Sequence, residues 1–397
     1  MGKLKRSLGW KVFGLYGLGN IVGAGIYVLI GEVAAEAGNG LIWSFAVAGV
    51  LAGFTAVSYA ALSSKFPVTA AEVVYIKKAF NTRHLGLLIG LILVFSGLVS
   101  AGVLLNGFAN YLDQLVTIPR GIVVTALAAI MGVIAARGIK ESAAVAVIIT
   151  IVEVLGLLIV VAVSLLSPGI FSNVSHVVSS SFNAGILPIL FGGFLAFYAF
   201  IGFEDMVNVA EEVKNPERNV KRGMFVAVFL SLLLYACVGI VALGVIPAES
   251  LAQSEAPLAD VFRVATGSSI PLIPIIGLFA IVNGILAQII MTSRILHGLS
   301  REDMIPHWFG ATNRVTHTPV NATVVMTILM ILAALSLPLS TLAMMTSFAL
   351  LIIFCFVHLA CLKLRDQLNI SPLFPAIGLT LNVAIITIQL YNWFFIA

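Results

Sequence analysis

Gly17-Leu18-Gly19-Asn20-Ile21-Val22-Gly23-Ala24-Gly25-Ile26-Tyr27 sets four glycines within nine residues inside an apolar segment long enough to be one helix. Each glycine costs a helix about 1 kcal/mol relative to alanine. Two readings follow from the residues alone. The small residues let a neighbouring helix pack closely, as in small-xxx-small pairs. Alternatively, the helix breaks here and exposes backbone groups to a cavity.

The surroundings decide the environment of this segment. Sixty per cent of the 397 residues are hydrophobic and ten per cent are charged. A soluble domain carries about 25% charged residues. Mean hydropathy is +1.12. Apolar runs of roughly 20 residues, the length that crosses a ~30 Å hydrocarbon core as helix, recur along the whole chain. They predict an all-α, polytopic protein with about eleven spans, near 10–35, 41–63, 84–112, 120–137, 142–166, 185–210, 223–246, 271–299, 319–337, 339–364 and 372–396. The basic start is followed by a segment too long for a signal peptide, so it reads as a retained first span. Ending directly after a helix is compatible with a twelfth span outside this chain. Cys237, Cys355 and Cys361 all fall in apolar stretches, which suggests neither a disulfide framework nor a zinc site.

Lysine and arginine test the span assignment. Placing the N-terminus inside puts nineteen of the 21 basic residues in inner segments, from Lys3, Lys5, Arg6 and Lys11 through Lys140 to Lys363 and Arg365; Arg120 and Arg263 fall outside. A missed or invented span would scramble that alternation. The expectation is a multi-pass protein of a cell membrane with a cytoplasmic N-terminus. The net charge of +4 then reflects topology and does not indicate nucleic acid.

The sixth span is the second unusual one. It carries Gly192-Gly193 and then Phe197-Tyr198-Ala199-Phe200-Ile201-Gly202-Phe203-Glu204-Asp205. An acidic pair after an aromatic, glycine-containing run is poorly explained by packing against lipid. Irregular spans at positions one and six are what an inverted repeat of five plus five helices would produce, with repeats over about 10–166 and 185–364 and an extra helix over about 372–396. In such a fold unwound backbone survives because it lines a cavity. Helix N-termini there offer N–H groups to a carboxylate, and exposed carbonyls receive an ammonium. A zwitterionic amino acid fits that arrangement.

Four stretches also resemble the amino acid–polyamine–organocation transporter superfamily, nearest to its cationic-amino-acid-transporter branch. Gly19 to Gly31 is similar to the first-helix signature. Phe197 through Glu211-Glu212-Val213-Lys214-Asn215-Pro216-Glu217-Arg218 resembles the sixth helix and its following loop. Ser293 to Pro306 resembles the end of helix eight, and Pro67 to Phe80 the loop before helix three, with Ala70-Ala71 replacing the usual glycine pair. The resemblance implies alternating access and amino-acid or polyamine substrates. It implies that the N–H groups of Gly23, Ala24 and Gly25 take the substrate carboxylate, and that the carbonyls of Ile21, Tyr198 and Ile201 take its amino group. Tyr198 stands where relatives keep an aromatic that closes over the substrate; plain packing is the other reading. Phe200 and Phe203 read as packing.

Glu153 lies twelve residues after Glu141, about 18 Å along the fifth helix and near mid-bilayer. A carboxylate there costs about 3 kcal/mol on insertion scales and marks a functional position. Relatives carry lysine at this place, so the chain reverses the charge. The carboxyl could shuttle a proton, ligate sodium, or hold helix five against helix one. Glu204 reads as a proton or cation sensor or an inner-side ion pair, and Asp205 as an inner-side ion pair with Lys11 or Arg222. Asn106, Asn110, Asn283 and Gln288 are candidate cavity linings, His358 reads as a satisfied bundle histidine, and Arg294 and Arg301 as inner-face anchors.

These features suggest no enzyme, cofactor or metal. An intramembrane enzyme would need a constellation such as His-Glu-x-x-His, and a channel would need charge rings or a filter loop; neither is apparent. The reading is a secondary active permease for amino acids with proton-coupled uptake, with sodium as the less favoured ion. An amino acid or polyamine exchanger and a non-translocating amino-acid sensor remain the alternatives.

Overall fold

The computed structural model describes residues 8–67, 71–138, 143–368 and 370–395. Lys3, Lys5, Arg6, Ala70, Lys140 and Glu141, all used above, lie outside the described residues. Among the described residues the chain is helical, and the spans follow the hydropathy closely. The first is split into Trp10–Val22 and Ala24–Ala37, and the second is Leu41–Lys65. The third to fifth are Arg83–Asp113, Arg120–Ala136 and Ala143–Leu165. The sixth starts as Ile186–Ala196, and the seventh and eighth are Pro216–Val245 and Leu272–Arg301. The ninth to eleventh are Val320–Ser336, Leu339–Lys363 and Leu373–Phe395. Among the described residues eight helical stretches meet the length and hydropathy of a membrane crossing, one of them running through the C-terminal half of the first span and the second. The fourth and ninth are shorter apolar helices. The protein is a multi-pass membrane protein.

Loop contacts separate the two ends of the bundle. Leu8 and Val213 form a short parallel bridge, with the Leu8 N–H donating to the Glu212 carbonyl and the Lys214 N–H to the Leu8 carbonyl. Arg83 donates to the Glu302 carbonyl, Lys77 pairs with Glu302, and the Thr318 hydroxyl donates to the Ala136 carbonyl. All these segments carry the basic residues. At the other end Asn39 and Trp43 donate to Ser180 and Ser181, Asn173 to the Gly244 carbonyl and Arg120 to the Ala334 carbonyl. Each of these contacts thus joins segments that the charge alternation assigns to the same end.

Packing within the bundle comes in matched pairs. The first span packs on the fifth and seventh, and the sixth packs on the tenth and second. The third packs on the ninth and tenth, and the eighth on the fourth and fifth. Third meets eighth, second meets seventh and fourth meets ninth. Adding five to each span number maps these contacts onto one another, which is the mark of the five-plus-five repeat. Because five is odd, the second half enters from the opposite end. The eleventh span packs outside this frame on the second, sixth and tenth.

Several short helices have no counterpart in the hydropathy. Ala71–Phe80 forms a helix where the sequence reading has only a loop, and Ile170–Ser181, Ala248–Ala252 and Pro257–Thr266 add helices at the opposite end. They are short or amphipathic and lie along the ends of the bundle, so a search for long apolar runs passes over them. His358 is a satisfied bundle histidine as expected: it is fully buried, with Nδ1 2.8 Å from the Ser58 hydroxyl and Nε2 3.3 Å from that of Thr55.

Candidate functional site

Both irregular spans are discontinuous. The first breaks at one residue, Gly23, which ends its N-terminal half and starts its C-terminal half. No side chain caps that helix start, so its leading N–H groups are presented by backbone alone. The sixth span changes from α-helix to a 3-10 turn at Phe197–Phe200, passes through Ile201–Phe203, and continues as a 3-10 helix over Glu204–Glu212. Gly202 has φ +121°, a conformation that glycine adopts at little steric cost. A Cβ on it would also overlap the Asn20 carbonyl, so the two breaks touch through backbone. Gly25 makes the other close approach: its Cβ would lie 2.8 Å from the Ala199 Cα. Close packing and helix interruption, posed as alternatives from the sequence, are both present.

Between the breaks lies a cavity of about 130 Å³. Ile21, Gly23, Ala24 and Gly25 line it from the first span, and Tyr198 and Ile201 from the sixth. Glu153 reaches it from the fifth span and is 3% exposed. Glu204 is buried outside the lining, where its Oε2 accepts the Gly202 N–H at 2.9 Å. Its neighbour Asp205 does line the cavity. Asp205 forms no ion pair among the described residues, and Lys11 and Arg222 are not its partners. The expected inner-side pair is therefore replaced by a cavity-facing position, because the unwound turn at Gly202 directs this residue inward rather than along a continuous helix. Asn283 and Gln288 line the cavity as expected; Asn106 and Asn110 do not. Asn106 is buried with neither side-chain nitrogen nor oxygen hydrogen-bonded among the described residues.

Hydroxyl groups tie the broken segments to the frame. The Tyr198 hydroxyl lies 2.9 Å from the Ser100 hydroxyl and donates to the Ser100 carbonyl at 3.2 Å, linking the sixth span to the third. The Tyr27 hydroxyl donates to the Glu153 carbonyl at 2.9 Å, and that of Tyr111 to the Tyr27 carbonyl at 2.9 Å. Tyr235, on the seventh span, stands within 2.7 Å of the Ile21 carbonyl and 2.8 Å of the Ala199 carbonyl. Phe200 and Phe203 pack edge-on or tilted against Tyr235, Tyr59 and Phe354, as expected of packing residues. Ser100 and Tyr235 went unnoticed in the sequence. A serine or tyrosine in an apolar span carries no local signal, and only the fold brings it to the break.

The sequence profile described as "Amino acid permease" matches residues 9–397. The chain belongs to the amino acid permease family. Among similar proteins, the chain is 30% identical to "Cationic amino acid transporter 4, vacuolar" of Arabidopsis thaliana, over 88% of its own length and 61% of that protein. It is 29% identical to "Cationic amino acid transporter 3, mitochondrial" of the same plant, over 88% of this chain and 60% of that one. "Branched-chain amino acid permease BcaP" of Lactococcus lactis is 26% identical, over 91% of this chain and 85% of its own length. The chain thus spans about sixty per cent of the length of the plant relatives and most of the bacterial one.

Proposed function

We propose that this permease is a secondary active transporter that carries amino acids by alternating access, with uptake driven by protons. The observation that carries the reading is the meeting of two interrupted helices around one cavity, with the uncapped helix start at Gly23–Gly25 on its wall. A helix N-terminus stabilises a carboxylate through free N–H groups and its dipole. Carbonyls near the breaks, at Ile21, Tyr198 and Ile201, supply acceptors for the α-ammonium. The plant relatives are named for cationic amino acids and the bacterial one for branched-chain amino acids; the shared α-amino acid is what this wall would read. Glu153 supplies the carboxyl that binds and releases the coupling proton, and Glu204 steadies the Gly202 turn on which the site depends. The basic segments orient the N-terminus to the cytoplasm of a cell-membrane transporter.

Flux into proteoliposomes tests the reading. Uptake should follow an imposed pH gradient, and an amino acid amide should compete far more weakly than the free acid. Equal competition by the two would remove the carboxylate site, and binding without flux would make the protein a sensor.

A further inference from the structure

Many hydroxyls inside the spans bond a carbonyl one turn back in their own helix. Ser63, Ser231, Thr292 and Thr346 do so, as does Ser96, which donates to the Leu93 carbonyl in the third span. Ser100 lies one turn further along that span and points its hydroxyl elsewhere. It is 2.9 Å from the Tyr198 hydroxyl, and Tyr198 donates to the Ser100 carbonyl at 3.2 Å. A phenol has one proton to give and an oxygen that accepts. With its proton on the Ser100 carbonyl, Tyr198 takes the proton of the Ser100 hydroxyl, so one residue satisfies both capacities. Both residues are buried, and both line the cavity between the breaks. The third span runs unbroken over Arg83–Asp113, whereas Tyr198 sits in the 3-10 turn where the sixth span changes geometry. The pair therefore joins a continuous helix to an interrupted one at the wall of the site.

We propose that Ser100 is a positioning residue that catches the Tyr198 hydroxyl and so sets how long an amino acid stays enclosed in the cavity. The inference rests on the transport reading, because it concerns a ligand whose carboxylate is held at Gly23–Gly25. A phenylalanine ring would pack here as tyrosine does, but it carries nothing to be caught. The hydrogen bonds to Ser100 bias the turn toward the closed arrangement. A neutral hydrogen bond shifts a two-state equilibrium about twofold to tenfold. Release requires the turn to leave the third span, so the bias falls mainly on the release rate. Ser100 acts on the ligand through Tyr198, and the backbone groups that read the α-amino acid core are untouched.

Dissociation from the full-length protein in lipid nanodiscs tests the catch. A labelled mixture of the protein amino acids identifies the ligand that the wild type retains, and its release into excess unlabelled ligand is then timed. Tyr198→Phe should release it about tenfold faster, and Ser100→Ala, which leaves the carbonyl acceptor, about threefold faster. Ser100→Thr restores the hydroxyl and should return most of the way to the wild-type rate. In the Tyr198→Phe background Ser100→Ala should add nothing, since the partner is gone. A merely structural serine would change thermal stability without this dependence on the tyrosine hydroxyl. Wild-type release from Tyr198→Phe overturns the catch, and so does an equal effect of Ser100→Ala in both backgrounds; amino-acid binding itself then stands. A wild type that retains no amino acid overturns the transport reading and the catch together. The comparison of Tyr198→Phe with the wild type decides even where Ser100→Ala does not fold.

Discussion

The Tyr235 hydroxyl stands 2.7 Å from the carbonyl oxygen of Ile21, two residues before the break in the first span. The Tyr235 hydroxyl is also 2.8 Å from the Ala199 carbonyl in the unwound part of the sixth span. One phenolic proton serves both acceptors in turn. A fully buried side chain of the seventh span thereby clamps the freed carbonyls of both discontinuous helices. Tyr235→Phe keeps the ring and its edge-on contact with Phe200 but removes the proton. The expected result is a folded protein, less stable by about 1 kcal/mol, with amino-acid binding weakened about tenfold because carbonyls facing the substrate lose their alignment. Thermal unfolding and ligand binding of the purified variant measure the two effects. Wild-type binding in Tyr235→Phe would show the clamp to be idle.

At Gly202 the backbone leaves no room for choice. With φ +121° and the Asn20 carbonyl against its Cα, even alanine combines a strained conformation with a steric overlap. Strain alone costs about 1–3 kcal/mol. Gly202→Ala should therefore reduce the yield of monodisperse protein in size-exclusion chromatography. Gly53, whose Cβ would meet nothing within 4 Å, is the matched control and should tolerate alanine.

How far the sequence reveals this architecture depends on what kind of signal each feature leaves. The spans leave a long one: twenty apolar residues are needed to cross a bilayer, and basic residues mark one side. The breaks leave a shorter one, glycine clusters in the first and sixth spans, whereas the placing of Ile21, Gly23, Ala24, Gly25, Tyr198 and Ile201 around one cavity is what the family resemblance implies. Asp205 shows the limit. Helical periodicity places it on an inner face near Lys11, but the 3-10 geometry after Gly202 changes its direction, and periodicity fails where the helix does. Ser100 and Tyr235 act through contacts with residues 98 and 214 positions away, and no local pattern encodes such a distance.

Glu72 gives the protein a pH-dependent stability outside the spans. It is buried in helix Ala71–Phe80, where the Tyr59 hydroxyl donates to its Oε1 at 3.2 Å. Burial, reinforced by the nearby Asp205 carboxyl, raises its pKa from 4.5 to about 7. The folded state therefore holds this proton more tightly than the unfolded chain. The stability it contributes is complete below about pH 4.5 and is lost as pH rises through about 7. Glu72→Gln stays neutral throughout. Its thermal stability should match the wild type near pH 5 and exceed it near pH 8. A difference independent of pH would mean that Glu72 is not titrating in this window.

Glu153 carries the coupling part of the proposed function. Glu153 lines the cavity from the fifth span beside the broken first span, and it is almost wholly removed from solvent. The fifth span packs against the N-terminal half of the first, and the Tyr27 hydroxyl of the C-terminal half donates to the Glu153 carbonyl. Movement of either half of the first span would thus change what surrounds this side chain. A buried carboxyl favours its neutral form, and contact with water or a cation favours the charged form. In the proposed cycle, alternating access would supply both conditions in turn, binding a proton on one side and releasing it on the other. Glu153→Gln keeps the shape and fixes neutrality. It should bind amino acids and exchange them across the membrane, yet fail to accumulate them when a pH gradient is imposed on proteoliposomes. Accumulation equal to the wild type would remove Glu153 from coupling. A wild type that ignores the pH gradient and follows a sodium gradient would instead make this carboxylate a cation ligand, since sodium also prefers oxygen donors.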